Sequence, residues 1–297
     1  MASIFNTCTV FLHLLILYMI HGNLARELPK EMNKYDDSLC LNHGCNHIET
    51  IHTPSSSSSS SPSYMDHIPL SWHILFHIED LKLGRSIKLY FPIKDSSQTL
   101  HFIPKQEADL IPFSSSSTEK ILKYFSFSRD SPQAKAIKMT LHHCEVPPLK
   151  GETKFCATSL ESMLEKLALL FGQNPNFRVL TTTKVKNWAP HLQNYTILEN
   201  PKEINVTKMF GCHPLPYPYA VYYCHGQDSD NKLFRVSLKG DDGLRLQALA
   251  ICHMDTSHWD PNHASFRVLG IRPGSAPVCH VFPRDNLVWV SSPDYVD

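Results

Sequence analysis

Four Cys-His dipeptides are the part of this sequence whose residue types and spacing are best suited to chemistry. Ten residues separate the first two dipeptides, twenty-six the next two and twenty-five the last two. Each lies in or at the end of an apolar run typical of a β-strand. Because neighbouring residues on a strand point to opposite faces, each dipeptide is expected to send its sulfur one way and its imidazole the other. The four are Cys212-His213, Cys224-His225, Cys252-His253 and Cys279-His280.

Three interpretations of these dipeptides are open from the residues alone. Zinc bound by thiolates is disfavoured by the spacing, because structural zinc sites usually have cysteines about two to four residues apart. If the cysteines are joined in disulfides instead, the imidazoles are left over, and imidazole suits Cu(II) or Cu(I). In the third interpretation the disulfides are structural, and the histidines only pack or form hydrogen bonds.

The N-terminus predicts export. Residues Val10 to Ile20 are almost wholly apolar, and no Asp, Glu, Lys or Arg precedes Arg26. This run is too short to span a bilayer but has the length of the apolar part of a signal peptide. We therefore expect a signal peptide over residues 1–25, no membrane anchor later in the chain, and a secreted mature protein.

Export favours disulfides over thiolate metal sites, because the compartment is oxidising. Removal of the signal peptide takes Cys8 and leaves eight of the nine cysteines, an even number. The sequons that begin at Asn194 and Asn205 are predicted glycosylation sites on an accessible surface. The disulfide candidates are Cys144 and Cys156, which flank a Pro147-Pro148 loop, and the four dipeptide cysteines Cys212, Cys224, Cys252 and Cys279.

The stretch that follows the signal peptide differs in composition from the rest of the chain. Residues 26–71 are a Ser/His-rich spacer without apolar periodicity, which we expect to be flexible. Within it, Cys40, His43, Cys45 and His47 are a metal-capturing loop that uses both histidines, a local disulfide, or simply a mobile tail that contains histidine. The 28 basic and 28 acidic residues of the chain balance, which gives no electrostatic footprint for nucleic acid or an anionic membrane.

Residues 72–297 predict an α+β domain, with helices mainly in its first half and a β-rich second half that carries the Cys-His pairs and is stapled by disulfides. The expected helices are Glu119–Phe125, Pro132–His143 and Leu160–Phe171, the last with a capping box from Thr158 and Glu161. The expected strands are Trp72–Glu79, Ile87–Phe91, Thr99–Ile103, Phe177–Val185, Glu203–Phe210, Tyr219–Cys224, Leu233–Leu238, Leu244–Cys252, Ser265–Ile271, Val278–Phe282 and Leu287–Val290.

The series of dipeptides resembles the signature of the BURP-domain family, a plant-specific group of secreted proteins. The resemblance covers roughly residues 72–297, and it departs from the family at Leu75-Phe76, where two adjacent Phe are usual. The short spacer of this chain, which has no repeats, is similar to that of the branch typified by unknown seed proteins. Other matching stretches are Phe102-Ile103-Pro104, Ala108 to Ser114, Cys144-Glu145, Gly151 to Lys154, Cys156 to Met163, Asp255-Thr256-Ser257 and Pro273-Gly274.

The resemblance implies a copper site, because some members of the family are copper-dependent cyclases that cross-link Tyr or Trp side chains of peptides. Carried over to this chain, His258 and His263 would lie next to the ligands, and Asp255 could orient one imidazole. The spacer offers only Tyr35 and Tyr64, neither in a repeated stretch, so the chain lacks an obvious substrate of its own. The implied copper ligands are His213, His225, His253 and His280.

The resemblance therefore favours a non-catalytic component of the cell wall and apoplast, or of a seed storage vacuole, acting in development or stress response. Its expected partners are wall polymers or wall proteins, not nucleic acid. The alternative is a copper-dependent cyclase that acts on a peptide supplied by another chain. Whether the protein is an enzyme is left open by the sequence.

Overall fold

The described part of the chain folds into two antiparallel sheets with helices packed against them. The computed structural model describes residues 73–91, 100–172, 177–184, 192–228 and 230–291, so the predicted signal peptide, the spacer and its Cys40–His47 cluster lie outside the described residues. In chain order the elements are β1 (Leu75–Phe76), β2 (Ser86–Leu89), α1 (Lys105–Ala108), α2 (Thr118–Tyr124), α3 (Pro132–Glu145), β3 (Glu152–Ala157), α4 (Leu160–Phe171), β4 (Phe177–Leu180), β5 (Thr183–Lys184), β6 (Gln193–Ile197), β7 (Lys202–Ile204), β8 (Lys208–Leu215), β9 (Val221–Gln227), β10 (Asn231–Gly240), β11 (Arg245–His253), α5 (Ala264–Leu269), β12 (Val278–Phe282) and β13 (Leu287–Ser291).

The strands divide unevenly between the two sheets. The first sheet runs β1-β12-β11-β10-β6-β2, with β5 added on β11 and β7 added on β10, and the second runs β3-β9-β8-β13-β4. Neighbouring strands are antiparallel in both sheets. The chain is thus α+β, with three disulfides. None of the helices in the described ranges is both long and apolar enough to cross a bilayer.

Strand periodicity explains how the sheets are held together. Along β11 the even-numbered residues Leu246 to Cys252 lie in one core on the far side of the first sheet. The alternate residues Leu249 and Ile251 pack instead with Val288 and Val290 of β13, which belongs to the second sheet. The two sheets therefore pack face to face, and side chains two residues apart share a face, as in any strand.

Helices cover the opposite face of the second sheet. Helix α4 lays Met163 and Leu167, both fully buried, against Phe210 of β8, and its predicted range is confirmed. The predicted cap is wrong by one residue. Ser159, in extended conformation, accepts a hydrogen bond from the Ser162 backbone N–H, and the Ser162 hydroxyl accepts one from the Ser159 N–H.

Other predicted elements need correction. Ser265–Ile271 is not a strand: α5 occupies Ala264–Leu269, and Gly270 ends it with a φ of 66°, which suits glycine. Glu203–Phe210 is not one strand, because β7 joins the first sheet and β8 the second. Trp72–Glu79 contributes only the short β1 and a 3-10 helix, and residues 100–103 contain no strand.

Candidate functional site

The cysteines of the four dipeptides form two disulfides, one in each sheet. Cys212 of β8 faces Cys224 of β9 across the ladder, and the two are bonded. Cys252 of β11 faces Cys279 of β12 in the same way and is bonded to it. Each bridge thus ties neighbouring antiparallel strands together. No thiolate is left at the dipeptides, so the zinc interpretation based on these cysteines is wrong.

The sulfurs and the imidazoles lie on opposite faces of their strands. Cys252 and Cys279 lie in the core on the far side of the first sheet, whereas Cys212 and Cys224 lie under α4. The sulfurs are therefore collected at two separate places. The imidazoles, which project from the other faces of the same strands, meet in the space between the two sheets.

The four imidazoles form one cluster in that space. Within the second sheet, the ring centroids of His213 and His225 are 5.5 Å apart, and within the first sheet those of His253 and His280 are also 5.5 Å apart. His213 and His280 connect the two sheets, with 6.1 Å between their centroids. The ring of Phe282 packs on both of them, at 5.3 and 4.9 Å. The sheets thus bring together all four predicted metal-ligating histidines.

An oxygen atom lies within hydrogen-bonding distance of Nδ1 in each of the four rings. His225 Nδ1 lies 3.2 Å from Glu152 Oε1, and His280 Nδ1 lies 3.3 Å from the Val281 carbonyl oxygen. A carbonyl oxygen or carboxylate only accepts, so these two imidazoles donate through Nδ1. In the neutral ring, Nε2 then carries a lone pair and can bind a metal ion.

Asparagine side chains do the same for the other two histidines. Asn231 Oδ1 lies 2.8 Å from Nδ1 of His253, and the Asn231 amide donates to the Gln227 carbonyl at 3.2 Å, which turns its oxygen towards the ring. Asn286 Oδ1 lies 2.6 Å from Nδ1 of His213. The hydrogen bonds therefore favour one tautomer throughout the cluster, with the proton on Nδ1.

The Nε2 atoms are short of hydrogen bonds. Nε2 of His213 is buried and has no hydrogen-bond partner among the described residues. Nε2 of His253 lies 3.4 Å from Nε2 of His280, and with both protons on Nδ1 this contact brings two lone pairs together. Buried polar atoms without a partner are costly, and a bound cation would relieve both features.

Burial also keeps three of the imidazoles uncharged. It lowers the pKa of His213 and of His253 well below the usual value, and the neighbouring imidazoles lower both further. Burial likewise lowers the pKa of His280 to about 4. At neutral pH these three rings are therefore deprotonated, as a metal ligand must be.

The cluster fits copper by the chemistry of its donors, although its spacing is not that of an assembled site. Within the described ranges, no group of three His, Cys, Asp or Glu side chains lies close enough together to hold a metal ion as the side chains stand. Gly211 lets the Phe282 ring pack close to the backbone beside the cluster, because an added Cβ would lie 3.1 Å from that ring and 3.6 Å from Nε2 of His213. Nitrogen-rich imidazole sets suit Cu(II) and Cu(I).

Glu152 connects the cluster to a buried tyrosine. Its Oε1 accepts hydrogen bonds from His225 Nδ1 and from the Tyr223 hydroxyl, the latter at 3.0 Å. Its Oε2 accepts from the Leu149 backbone N–H at 2.8 Å. Burial raises the pKa of Tyr223, which therefore stays protonated. Both carboxylate oxygens are thus committed, and Glu152 holds His225 in a fixed orientation.

The residues that orient the imidazoles differ from those the sequence suggested. His263 is buried, bonds Ser265 Oγ through Nδ1 at 2.7 Å and packs on Trp259, whose ring also contacts His253. Asp255 is exposed and accepts from the Ser257 N–H, and His258 is exposed. Sequence reasoning missed Glu152, Asn231 and Asn286. Only Glu152 gave a signal, since it lies in the matching stretch Gly151 to Lys154.

The remaining candidate residues lie elsewhere on the molecule. Cys144, in the last turn of α3, is bonded to Cys156 of β3. Asn194 and Asn205 are both exposed, and the Asn194 side chain donates to Asp241 Oδ2 at 3.2 Å. Both asparagines are thus accessible from solvent and separate from the imidazole cluster.

Comparison with known proteins gives one consistent result. A family model described as the BURP domain matches residues 74–291. The chain is 49% identical over 224 residues to the BURP domain-containing protein BNM2A of Brassica napus, which covers 74% of this chain and 79% of that protein. It is 41% identical over 300 residues to the BURP domain protein USPL1 of Arabidopsis thaliana, covering 98% and 100%. It is 38% identical over 220 residues to the BURP domain protein RD22 of Arabidopsis thaliana, covering 73% and 55%.

Proposed function

This chain belongs to the BURP-domain family, and on that premise we propose that it is an exported plant protein with a copper site at its four Cys-His histidines. The observation that carries the copper proposal is the set of four Nδ1 hydrogen bonds, which leave the Nε2 atoms of the four rings, in their neutral form, free to bind a metal ion in the space between the sheets. When bound, copper supplies one-electron oxidation and reduction. The chain's own residues hold the donors in place, and burial keeps the imidazoles of His213, His253 and His280 neutral.

The first test is copper content. The mature glycosylated protein, purified from an oxidising host and loaded with Cu(II), is expected to retain about one copper per chain after gel filtration, as the single cluster predicts. The double variant His225→Ala/His253→Ala should lose it, because one ligand is removed from each sheet. His258→Ala is the matched control, since His258 is exposed and outside the cluster, and it should keep its copper. Equal copper in all three proteins would refute the site.

The proposed place of action is the cell wall and apoplast, or a storage vacuole, in development or stress response. The apolar run Val10–Ile20, the exposed sequon residues Asn194 and Asn205 and the three disulfides support export. In plant cells the native chain is expected to enter the secretory pathway and lose mass on N-glycosidase treatment. The double variant Asn194→Gln/Asn205→Gln should show no such loss. A native protein retained in the cytosol would contradict the proposal.

A second candidate function is a copper-dependent cyclase that acts on a Tyr- or Trp-containing peptide from another chain. It is favoured by the all-imidazole donor set, which suits a copper ion that changes oxidation state. With Cu(II), oxygen as the oxidant and a candidate peptide, each cross-link would remove two hydrogens from the peptide. Mass spectrometry would detect that loss. Unchanged masses with a fully loaded protein leave the non-catalytic role.

A further inference from the structure

A cleft lies between β4 of the second sheet and the strands β7, β10 and β11 of the first sheet. Its volume is about 490 Å³. Val179 and Leu180 of β4, in the second sheet, form one wall, and side chains of β7, β10 and β11 in the first sheet form the floor. The cleft therefore has an apolar wall facing a polar floor, an arrangement typical of ligand sites.

Two cations stand side by side on the floor. Lys202 of β7 and Arg235 of β10 face each other directly across the antiparallel ladder, both are exposed, and both line the cleft. Neither forms an ion pair with any residue in the described part of the chain. Like charges directly opposite each other destabilise a sheet. An anion bound between them would remove that cost.

The rest of the floor carries groups that bind hydroxyls. Gln247 Nε2 donates to Ser237 Oγ at 2.8 Å, which fixes both side chains. Thr183 of β5 lies directly opposite Gln247 and also lines the cleft. Amide and hydroxyl groups donate and accept, so they pair well with the vicinal hydroxyls of a sugar. The aliphatic wall offers a surface for the C–H face of a sugar ring.

The charge of the cleft limits what it can bind. Glu199 also lines the rim, so Lys202 and Arg235 against Glu199 leave one net positive charge. That favours a singly charged carboxylate over a phosphate. A peptide would be recognised through backbone pairing, but the strands β5 and β7 that border the cleft have only two and three residues.

We infer that this cleft binds a uronate-bearing oligosaccharide, with a carboxylate between Lys202 and Arg235 and sugar hydroxyls on Ser237, Gln247 and Thr183. The inference rests on the proposed place of action in the cell wall and deepens it by naming the ligand class. It does not depend on copper, because the cleft shares no lining residue with the imidazole cluster. A protein that binds copper but no uronate would separate the two proposals, and so would one that binds uronate but no copper.

The test uses trigalacturonate as the probe and isothermal titration of the full mature protein at low salt. Fully methyl-esterified trigalacturonate is the matched control ligand, because it keeps the sugar skeleton and loses the charge. Triglutamate is the acidic peptide control. Arg235→Gln and Lys202→Gln each remove one floor cation. Lys239→Gln removes an exposed cation from the same strand outside the cleft.

We expect trigalacturonate to bind and both controls to bind at least about tenfold more weakly, since a charge-assisted hydrogen bond is lost or the hydroxyl contacts are missing. Arg235→Gln and Lys202→Gln should each weaken binding about tenfold, Lys239→Gln should leave it unchanged, and added NaCl should weaken it. All three residues are exposed, so unchanged thermal unfolding verifies the fold. No binding, binding of the ester or of triglutamate as tight as that of trigalacturonate, or binding by both cleft variants as tight as by the wild type would overturn the inference.

Discussion

We expect the disulfide between Cys252 and Cys279 to support copper binding by the imidazole cluster. The disulfide between Cys144 and Cys156 should not affect copper binding. The first bridge closes a sequence separation of 27 residues, and its cysteines are the chain neighbours of His253 and His280. The second bridge closes a separation of 12 residues and joins α3 to β3. Loop-closure entropy assigns about 3.5 kcal/mol to the first bridge and about 2.8 kcal/mol to the second. The two losses of stability are therefore similar, although their places in the fold differ.

The comparison uses the double variants Cys252→Ala/Cys279→Ala and Cys144→Ala/Cys156→Ala. Equilibrium urea denaturation should show losses of unfolding free energy near these values, and since domains usually have about 5–15 kcal/mol, both should stay folded. Copper affinity should fall about tenfold or more in the first variant, because β11 and β12 no longer hold their imidazoles in register. It should stay unchanged in the second. Equal copper affinities in the two variants would refute this reasoning and would show that the Cys252–Cys279 bridge contributes only to the stability of the fold.

Three further predictions concern the imidazole cluster. In Glu152→Gln the amide cannot accept from His225, Tyr223 and Leu149 together, so copper affinity measured by competition titration should fall about 10–100-fold, and an unchanged affinity would contradict the role of this carboxylate. Burial holds the pKa of His280 near 4 in the folded chain, against 6.5 as its ordinary value. Between these values only the unfolded chain takes up the proton, so His280 alone should leave the stability of the metal-free protein full above about pH 6.5 and lower it by about 1.4 kcal/mol per pH unit towards 4. The lowered pKa values of His213 and His253 should make this fall steeper. Urea denaturation across that range checks this, and a flat profile would count against it. Gly211→Ala should lower the unfolding free energy by about 1–3 kcal/mol, because its methyl meets the Phe282 ring at 3.1 Å, and thermal unfolding with no shift would show that the space is not tight.

Periodicity made part of the site predictable. In β11 and β12, cysteine and histidine are neighbours, so the alternation of a strand necessarily separates sulfur from imidazole. Helix α4 was predictable for the same kind of reason, since its apolar residues repeat with the helical period. A short segment such as Ser265–Ile271 was not, because a run of that length fits both a strand and a helix.

The sharing of the dipeptides between two sheets could not be predicted. Cys212 pairs with Cys224 nearby in sequence, but β8 also pairs with β13, where Leu287 stands opposite Cys212. The sequence spacing of the Cys-His dipeptides does not indicate which distant strands pair. The same holds for Asn286, which lies 73 residues from the histidine it orients. Asparagine is common in turns, so its type gave no indication of this role.

The most direct test of the imidazole cluster is a pulsed electron paramagnetic resonance measurement on the Cu(II)-loaded mature protein. If the four Nε2 atoms face a common site with Nδ1 hydrogen-bonded outwards, the spectrum should show remote imidazole nitrogens coupled to copper. Single His→Ala variants at His213, His225, His253 and His280 should each change that signal, and His258→Ala should not. A spectrum without imidazole nitrogens, or one that these four variants leave unchanged, would contradict the copper site.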